Sequence, residues 1–194
     1  MIPLEERPPD ALRVVWTQPR LTIRWLLEHG DGGLWALLLL GAVMAHEAFR
    51  LADADPGRVS TFPVVVEFLI ATLFWYVLAL FFACTLDVFG VALGGRGRFR
   101  DQRIALGWSL APLAASLPFV LLYVFGLRAA RPFPAEFASG VVSFLYLFSL
   151  TLLVACVREA HGISWARSVL VVALGYLITI IAGAAIFLLI VQQT

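Results

Sequence analysis

The stretch VVVEFLIATLFWYVLALFFACTLDVFGVAL, residues 64–93, decides the fold of this chain. Its only charged side chains are Glu67 and Asp87, and an α-helix needs about 20 apolar residues to cross the hydrocarbon core of a bilayer. The stretch is longer than one crossing requires, so we expect the helix to tilt or to extend past the headgroups. We predict a transmembrane helix here.

The rest of the chain repeats this pattern. Four further apolar stretches cover residues 34–51, 104–126, 138–157 and 168–191. Hydrophobic residues make up 61% of the 194 positions and charged residues 14%, against roughly 25% charged residues in soluble domains. The short connections between the stretches predict antiparallel neighbours. We predict an all-α integral membrane protein, with one bundle of five transmembrane helices over residues 34–194.

Residues 1–33 form a separate N-terminal segment, expected to lie in the cytoplasm. Within it, Ala11–Glu28 is amphipathic, with apolar residues recurring at helical spacing on one face and arginines on another. Pro19 is expected to divide this helix into two pieces and to stand near the start of the second. The helix then lies either in the headgroup layer or across the inner mouth of the bundle.

The placement of the basic residues predicts the orientation. All 14 are arginine, and there is no lysine, which is typical of a GC-rich bacterial genome. With the N-terminus in the cytoplasm, ten arginines fall on the inner side and four, Arg50, Arg58, Arg128 and Arg131, on the outer side. Basic residues resist translocation. We therefore expect a bacterial inner (cell) membrane, with the N-terminus cytoplasmic and the C-terminus outside.

Few polar groups lie within the predicted spans. Asp87, toward the inner end of the second span, is a candidate for an intramembrane polar pair, and Arg96 or Arg98 is the expected partner. A transport role for Asp87 is the alternative. His46 and Glu47 lack the second histidine of a zinc-protease helix, so the sequence predicts no metal site there. His161, in a short connection, is interpreted as a solvated loop residue.

Small residues recur every four positions in two of the spans. Such ridges allow close approach of helix backbones in lipid, so these positions are candidates for helix packing. Prolines in the third span, Pro112 and Pro118, are expected to kink it. The candidate packing residues are Gly107, Ala111, Pro112 and Ala115 in the third span, and Gly175, Thr179 and Gly183 in the fifth.

The second inner connection, residues 94–103, is dense in arginine. We call it the basic loop, and its sequence is Gly-Gly-Arg-Gly-Arg-Phe-Arg-Asp-Gln-Arg. Its arginines could bind an anionic leaflet or a protein partner, or they could serve only to fix the topology. The candidate binding residues are Arg96, Arg98, Phe99, Arg100 and Arg103.

Four short segments of the chain resemble the Yip family of membrane proteins, whose eukaryotic members interact with Rab-type GTPases. They are Pro19-Arg20-x-Thr22, Gly94-Gly95-x-Gly97-x-Phe99, Gly107-Trp108-Ser109-Leu110-Ala111-Pro112, and Arg158-Glu159-x-His161-Gly162-Ile163-Ser164. The likeness is to bacterial members, and five spans with the N-terminus inside agree with the family. The eukaryotic D-L-Y-G-P signature before the first span is missing, so the resemblance does not carry Rab-dependent traffic to this chain.

The resemblance implies a membrane protein that is not an enzyme and that organises partners or the bilayer. The sequence agrees, since no catalytic motif, cofactor-binding motif or metal-ligand cluster is evident in it. We therefore predict a scaffold or adaptor; a small transporter or channel is the alternative. The expected partners are the lipid bilayer, with anionic lipids among them, and another membrane protein or a second copy of the chain. Nothing in the sequence indicates nucleic-acid binding.

Overall fold

The structure, a computed structural model, describes residues 14–29 except 16, together with 34–35, 38–44, 62–117 and 135–191. These residues are helical apart from short connections, and they contain no strand. We number, in chain order, the helices for which both ends are described. They are α1 (Pro19–His29), α2 (Phe62–Ala92), α3 (Phe99–Ser109), α4 (Ala111–Ala115), α5 (Ala135–His161) and α6 (Trp165–Val191).

Three of these helices are long and apolar enough to cross a membrane. The candidate spans are Leu69–Ala92, Ser143–His161 and Trp165–Ile186, within α2, α5 and α6. They correspond to the predicted spans 64–93, 138–157 and 168–191. The predicted span 34–51 is helical at 34–35 and 38–44, and its remaining residues lie outside the described part, as does 118–126 of the predicted span 104–126.

The predicted third span begins earlier than the sequence indicated and is interrupted. Its helix starts at Phe99, five residues before the predicted start, so the second half of the basic loop is the first turn of α3. The helix then breaks at Leu110, and Pro112 stands in the first turn of α4. Proline lacks the amide hydrogen that a continuous helix would need, and the first turn of a new helix tolerates it. Pro118 lies outside the described residues.

Helix α5 is central, because it contacts each of the other five helices. One cluster of buried residues joins it to α2 and α6, through residues such as Leu86, Leu153 and Val171. A second cluster joins it to α1 and α3, and contains Ile23, Trp108 and the fully buried Cys156. Both clusters lie toward the end of the bundle at which α5 ends and α6 begins.

Helix α1 begins at Pro19, as the sequence predicted, and residue 18 before it is not helical. Its Thr22, Ile23 and Leu26 are buried, and it packs on α5 and α3. The arginines of α1, Arg20 and Arg24, are exposed and lie at the same end of the bundle as the two clusters.

Candidate functional site

The polar contacts of the described residues concentrate at one end of the bundle. Here the connection between α2 and α3 (residues 93–98), the connection between α5 and α6 (residues 162–164), and helix α1 come together. We call this the basic end. The sequence predicted that the arginines around these segments share one side of the membrane. In the structure, α1 and the 93–98 connection are both hydrogen-bonded to the last turn of α5, through Glu159 and His161.

The connection after α2 begins with a tight turn at two glycines. The Gly94 and Gly95 amides donate to the carbonyl oxygens of Val91 and Gly90, at 3.0 and 2.8 Å. Gly94 has a φ of +88°, a backbone conformation that a side chain would strain. This arrangement ends the helix by satisfying its last carbonyls and turns the chain back toward α5.

The same connection is then tied to the last residue of α5. The Arg96 amide donates to the His161 carbonyl at 3.1 Å, and the Gly97 amide donates to His161 Nδ1 at 3.2 Å. From the other side, Arg167 Nη1 of α6 donates to the Leu93 carbonyl at 3.2 Å. The first half of the basic loop is therefore fixed in place by α5 and α6, although its glycines alone indicate flexibility.

His161 is 2% exposed, so its interpretation as a solvated loop residue is wrong. Its Nε2 lies 3.2 Å from the Leu86 carbonyl oxygen. Because Nδ1 accepts from an amide, Nε2 carries the hydrogen and donates to this oxygen, which is the neutral Nε2–H tautomer. The histidine thus links α2, the basic loop and α5.

Three glycines make room for this imidazole, and we call them the glycine socket: Gly90, Gly95 and Gly97. A Cβ at Gly90 would overlap the ring, and one at Gly95 or Gly97 would lie 2.6 or 2.8 Å from Nδ1. The sequence held one indirect signal for this contact, because the glycine-rich segment 94–99 and the histidine-bearing segment 158–164 both carry the family resemblance. Their mutual contact is a long-range feature that no local pattern indicates.

Glu159 attaches α1 to the basic end. Its two carboxylate oxygens accept from Arg20 Nε at 2.5 Å and Arg24 Nη2 at 2.9 Å. The Glu159 side chain is 7% exposed, whereas those of Arg20 and Arg24 are 52% and 55% exposed. Sequence reasoning placed these two arginines on the polar face of the N-terminal helix and used them for the topology, but it missed their shared partner, which is more than 130 residues away in the chain.

The candidate binding residues of the basic loop stand on this fixed base. Arg96, Arg98, Phe99 and Arg100 are exposed. The guanidinium of Arg103 lies over the rings of Trp35 and Phe99, 5.0 and 5.1 Å from their centroids. The Arg98 amide donates to Asp101 Oδ2 at 2.9 Å, which caps the start of α3.

Asp87 does not have the partner that the sequence suggested. Neither Arg96 nor Arg98 forms an ion pair with it, and the ion pairs among the described residues are those of Glu159. Its Oδ1 is buried with no hydrogen-bond partner. The described residues also contain no group of three histidine, cysteine, aspartate or glutamate side chains that could hold a metal ion.

The candidate packing residues differ in their surroundings. A Cβ at Gly107 would lie 2.5 Å from the Trp35 carbonyl oxygen, and one at Gly175 would lie 2.9 Å from Phe82 Cε2. Ala111, Pro112 and Thr179 are buried, Gly183 is half-buried with Leu78 Cδ2 at 3.9 Å from its Cβ position, and Ala115 is exposed. Close approach to a neighbouring backbone therefore occurs at Gly107, whereas Gly175 makes room for side chains of α2.

The comparison with protein families decides the identity of this architecture. The Yip1 domain matches residues 13–187, which is nearly the whole chain. The chain belongs to the Yip1 family. No curated protein and no solved structure matches it in parallel comparisons. The segments that carry the family resemblance, around residues 20, 95, 108 and 160, all lie within the matched region.

Membership of the Yip1 family makes this chain a membrane protein with apolar helices, from a family not known for enzymatic activity. Three of the four resembling segments meet at the basic end, through Arg20 with Glu159 and Gly97 with His161. The fourth contains Gly107, which adjoins Trp35. The basic end is therefore the candidate functional site of this Yip1 protein.

Proposed function

We propose that this Yip1 protein is a membrane adaptor that binds an acidic surface of another protein at its basic end. The observation that carries the proposal is the fixed backbone of the basic loop. Hydrogen bonds from Arg96 and Gly97 to His161, and from Arg167 to Leu93, hold the loop from two helices. A loop held in this way loses little conformational entropy when a partner binds.

The side chains on the loop suit such a partner. Arg96 and Arg98 are exposed and form no ion pair with another residue of the described structure. Phe99, beside them, is 38% exposed. Arginine and aromatic residues are enriched at protein interfaces, and arginine pairs with carboxylates in bidentate geometry. An acidic protein surface is the complement to this combination.

We further propose that the chain crosses the membrane five times, with the basic end in the cytoplasm and the C-terminus outside. The support is the ten-to-four distribution of arginine, together with the contacts that two arginine-bearing segments, α1 and the basic loop, make with the last turn of α5. Reporter fusions test this orientation. A reporter that is active only outside the cytoplasm should work at Thr194, and one active only inside should work at the N-terminus. Activity of the inside-only reporter at both ends of the chain would exclude five crossings in this orientation.

The adaptor role is tested by a native pull-down from membranes in mild detergent, with partners identified by mass spectrometry. We compare the wild type with the double variant Arg96→Gln/Arg98→Gln. The matched control is Arg128→Gln/Arg131→Gln, which removes the same charge from the segment that we assign to the opposite side.

A stoichiometric protein that the wild type and the control retain, and that the Arg96/Arg98 variant loses, supports the adaptor role. Equal recovery of that protein with all three would place its binding site elsewhere on the chain. Recovery of lipid alone, lost with the same variant, would make the basic loop a leaflet-binding element and overturn the adaptor proposal.

A further inference from the structure

A groove opens beside the basic end, between α1, α5 and α6, and it is separate from the exposed side of the basic loop. Its volume is about 420 Å³, within the range of roughly 300–1,000 Å³ typical of small-molecule sites. Its lining combines two arginines, a tryptophan and a stripe of apolar side chains. The ones that matter here are Arg20, Phe148, Leu152, Ala155, Arg158 and Trp165.

The groove is apolar along α5 and positively charged where α5 ends. Phe148, Leu152 and Ala155 stand at positions i, i+4 and i+7 of α5, so they form one stripe along the helix. Arg158 continues this stripe by one more turn. From Phe148 to Arg158 the helix advances by about 15 Å. The stripe lies within the part of α5 that is apolar enough to cross a membrane, Ser143–His161, and Arg158 stands near the end of that part.

The charges at this end do not balance within the described structure. Glu159 accepts from both Arg20 and Arg24 and can neutralise one of them. Arg158 forms no ion pair with another described residue, and its guanidinium lies 6.0 Å from the centroid of the Trp165 ring. These three arginines exceed the one carboxylate by two charges, and two of the three, Arg20 and Arg158, line the groove.

Trp165 indicates where this mouth lies relative to a bilayer. It is the first residue of α6 and is 46% exposed. Tryptophan is enriched at the level of the headgroups, where its ring contacts apolar chains and polar groups together. The groove thus presents cationic side chains at headgroup level and an apolar stripe at acyl-chain level.

We infer that this groove binds one anionic phospholipid of the surrounding leaflet. Its phosphate lies between Arg20 and Arg158, and one acyl chain follows the stripe from Ala155 to Phe148. Along the groove a cationic end is followed by an apolar stripe, which is the order of headgroup and acyl chain in a phospholipid. A free anion would use only the cationic end, and an acidic peptide would not fill the apolar stripe. Because the groove does not use Arg96 or Arg98, this inference is independent of the adaptor proposal.

The test is native mass spectrometry of the full chain released from detergent, with one added lipid at a time. Phosphatidylglycerol and phosphatidylcholine with identical acyl chains separate the headgroup from the chains, and inorganic phosphate separates a lipid from a free anion. We expect one bound phosphatidylglycerol, retained about tenfold better than phosphatidylcholine because two cationic charges face the headgroup.

Two variants probe the two ends of the groove. Arg158→Gln removes charge at the mouth and should weaken phosphatidylglycerol binding about fivefold. Thr151→Trp places a large side chain in the apolar part of the groove, from an exposed position of its lining. This variant should weaken the binding of both lipids. The matched controls are Arg128→Gln, in the segment that we assign to the opposite side of the membrane, and Leu150→Trp, at an exposed position of α5 outside the lining of the groove. Circular dichroism verifies the helical content of each.

Loss of the preference for phosphatidylglycerol in Arg158→Gln, with both controls like the wild type, supports the site. Equal retention of the two lipids by the wild type would overturn it, as would unchanged binding in both groove variants. Displacement of the lipid by inorganic phosphate at equal concentration would assign an anion site and exclude the acyl-chain stripe. If Arg158→Gln does not fold, Thr151→Trp decides alone.

Discussion

The two halves of the long helices are built differently. At the basic end, α2 and α6 bury Leu86 and Val171 completely. Hydrogen bonds there link α2 to His161 of α5, and the residue after α2 to Arg167 of α6. Large apolar side chains are exposed along the length of both helices, and in the half farther from this end they include Leu73 and Ile180, both at 65%. One half is specified by directed contacts within the chain, and the other presents an apolar surface whose natural solvent is lipid.

This difference teaches where sequence changes should matter. In lipid, exposed apolar residues exchange one apolar environment for another, so most substitutions among them cost little. At the basic end, each hydrogen bond depends on close approach and on a particular donor or acceptor. Substitutions there should cost more, and their cost should depend on the partner residue.

The largest effect is expected at the glycine socket. In Gly90→Ala the new methyl group would overlap the His161 ring, so the ring must leave the socket and lose its bonds to Gly97 and Leu86. We expect a destabilisation of about 3 kcal/mol from overpacking and lost hydrogen bonds. The measurement is thermal unfolding in detergent, followed by circular dichroism.

Gly140→Ala is the matched control for this variant, because a Cβ at Gly140 meets no atom within 4 Å. Alanine in a helix interior is intrinsically favoured over glycine, so this variant should be as stable as the wild type or slightly more so. A second check is the double variant Gly90→Ala/His161→Ala, which should be no less stable than His161→Ala. Equal losses of stability in Gly90→Ala and Gly140→Ala would contradict the role of the glycine socket.

The next effect concerns the attachment of α1. Glu159→Gln keeps the size of the side chain but removes the charge that Arg20 and Arg24 share. Because both arginines are more than half exposed, we expect a loss of only about 1–2 kcal/mol. The measurement is labelling of a cysteine introduced at the fully buried Ile23, in a background in which Cys84 and Cys156 are replaced by serine.

Labelling at residue 23 should become faster with Glu159→Gln and should change less with Arg24→Gln, which leaves the pair with Arg20 intact. A labelling rate that is the same in the Glu159→Gln variant and the wild type would show that apolar burial around residues 23 and 26 is sufficient to hold α1. That outcome would mean that packing, and not directed polar contacts, distinguishes the basic end from the other half of the molecule.

The same contrast explains what the sequence could predict. Long apolar runs are local signals, so the helices around residues 64–93, 138–157 and 168–191 were predictable from composition and length. Pro19 marked a helix start and Pro112 an interruption of the third span for the same reason, since proline acts on its own turn. Family membership was predictable as well, from short segments whose mutual contacts were unknown.

What could not be predicted depends on contacts across the chain. His161 follows Glu159 in a short charged segment and reads as solvated, but it is buried because the chain brings Gly90 and Gly97 to it. The start of α3 at Phe99 was missed because arginine and aspartate at residues 100 and 101 resemble a loop. They are instead the first turn of a helix that Asp101 caps.

A smaller effect separates the two glycines of α6. A Cβ at Gly175 would lie 2.9 Å from Phe82 Cε2 and 3.1 Å from Leu86 Cδ2. These atoms end flexible side chains, which can move by a few tenths of an ångström. We therefore expect Gly175→Ala to destabilise the protein by about 1 kcal/mol, because the steric cost exceeds the gain in helix propensity. Thermal unfolding in detergent measures the change.

Gly183→Ala provides the comparison within the same helix. There the nearest atom to the new methyl group is Leu78 Cδ2, at an ordinary contact distance of 3.9 Å. This variant should match or slightly exceed the wild type in stability. If Gly183→Ala were the more damaging of the two, tight packing would extend into the far half of α6, and the contrast between the halves would fail for that helix.

The smallest effect on stability is expected where the effect on binding is largest. Arg96→Gln/Arg98→Gln changes exposed side chains, while the backbone bonds that fix the loop are made by amide groups that the substitution leaves in place. Thermal unfolding of this variant should stay within about 0.5 kcal/mol of the wild type. A larger loss would mean that these side chains hold the basic end together, and a partner lost in the pull-down would then report misfolding. An unchanged stability assigns that loss to the interface itself.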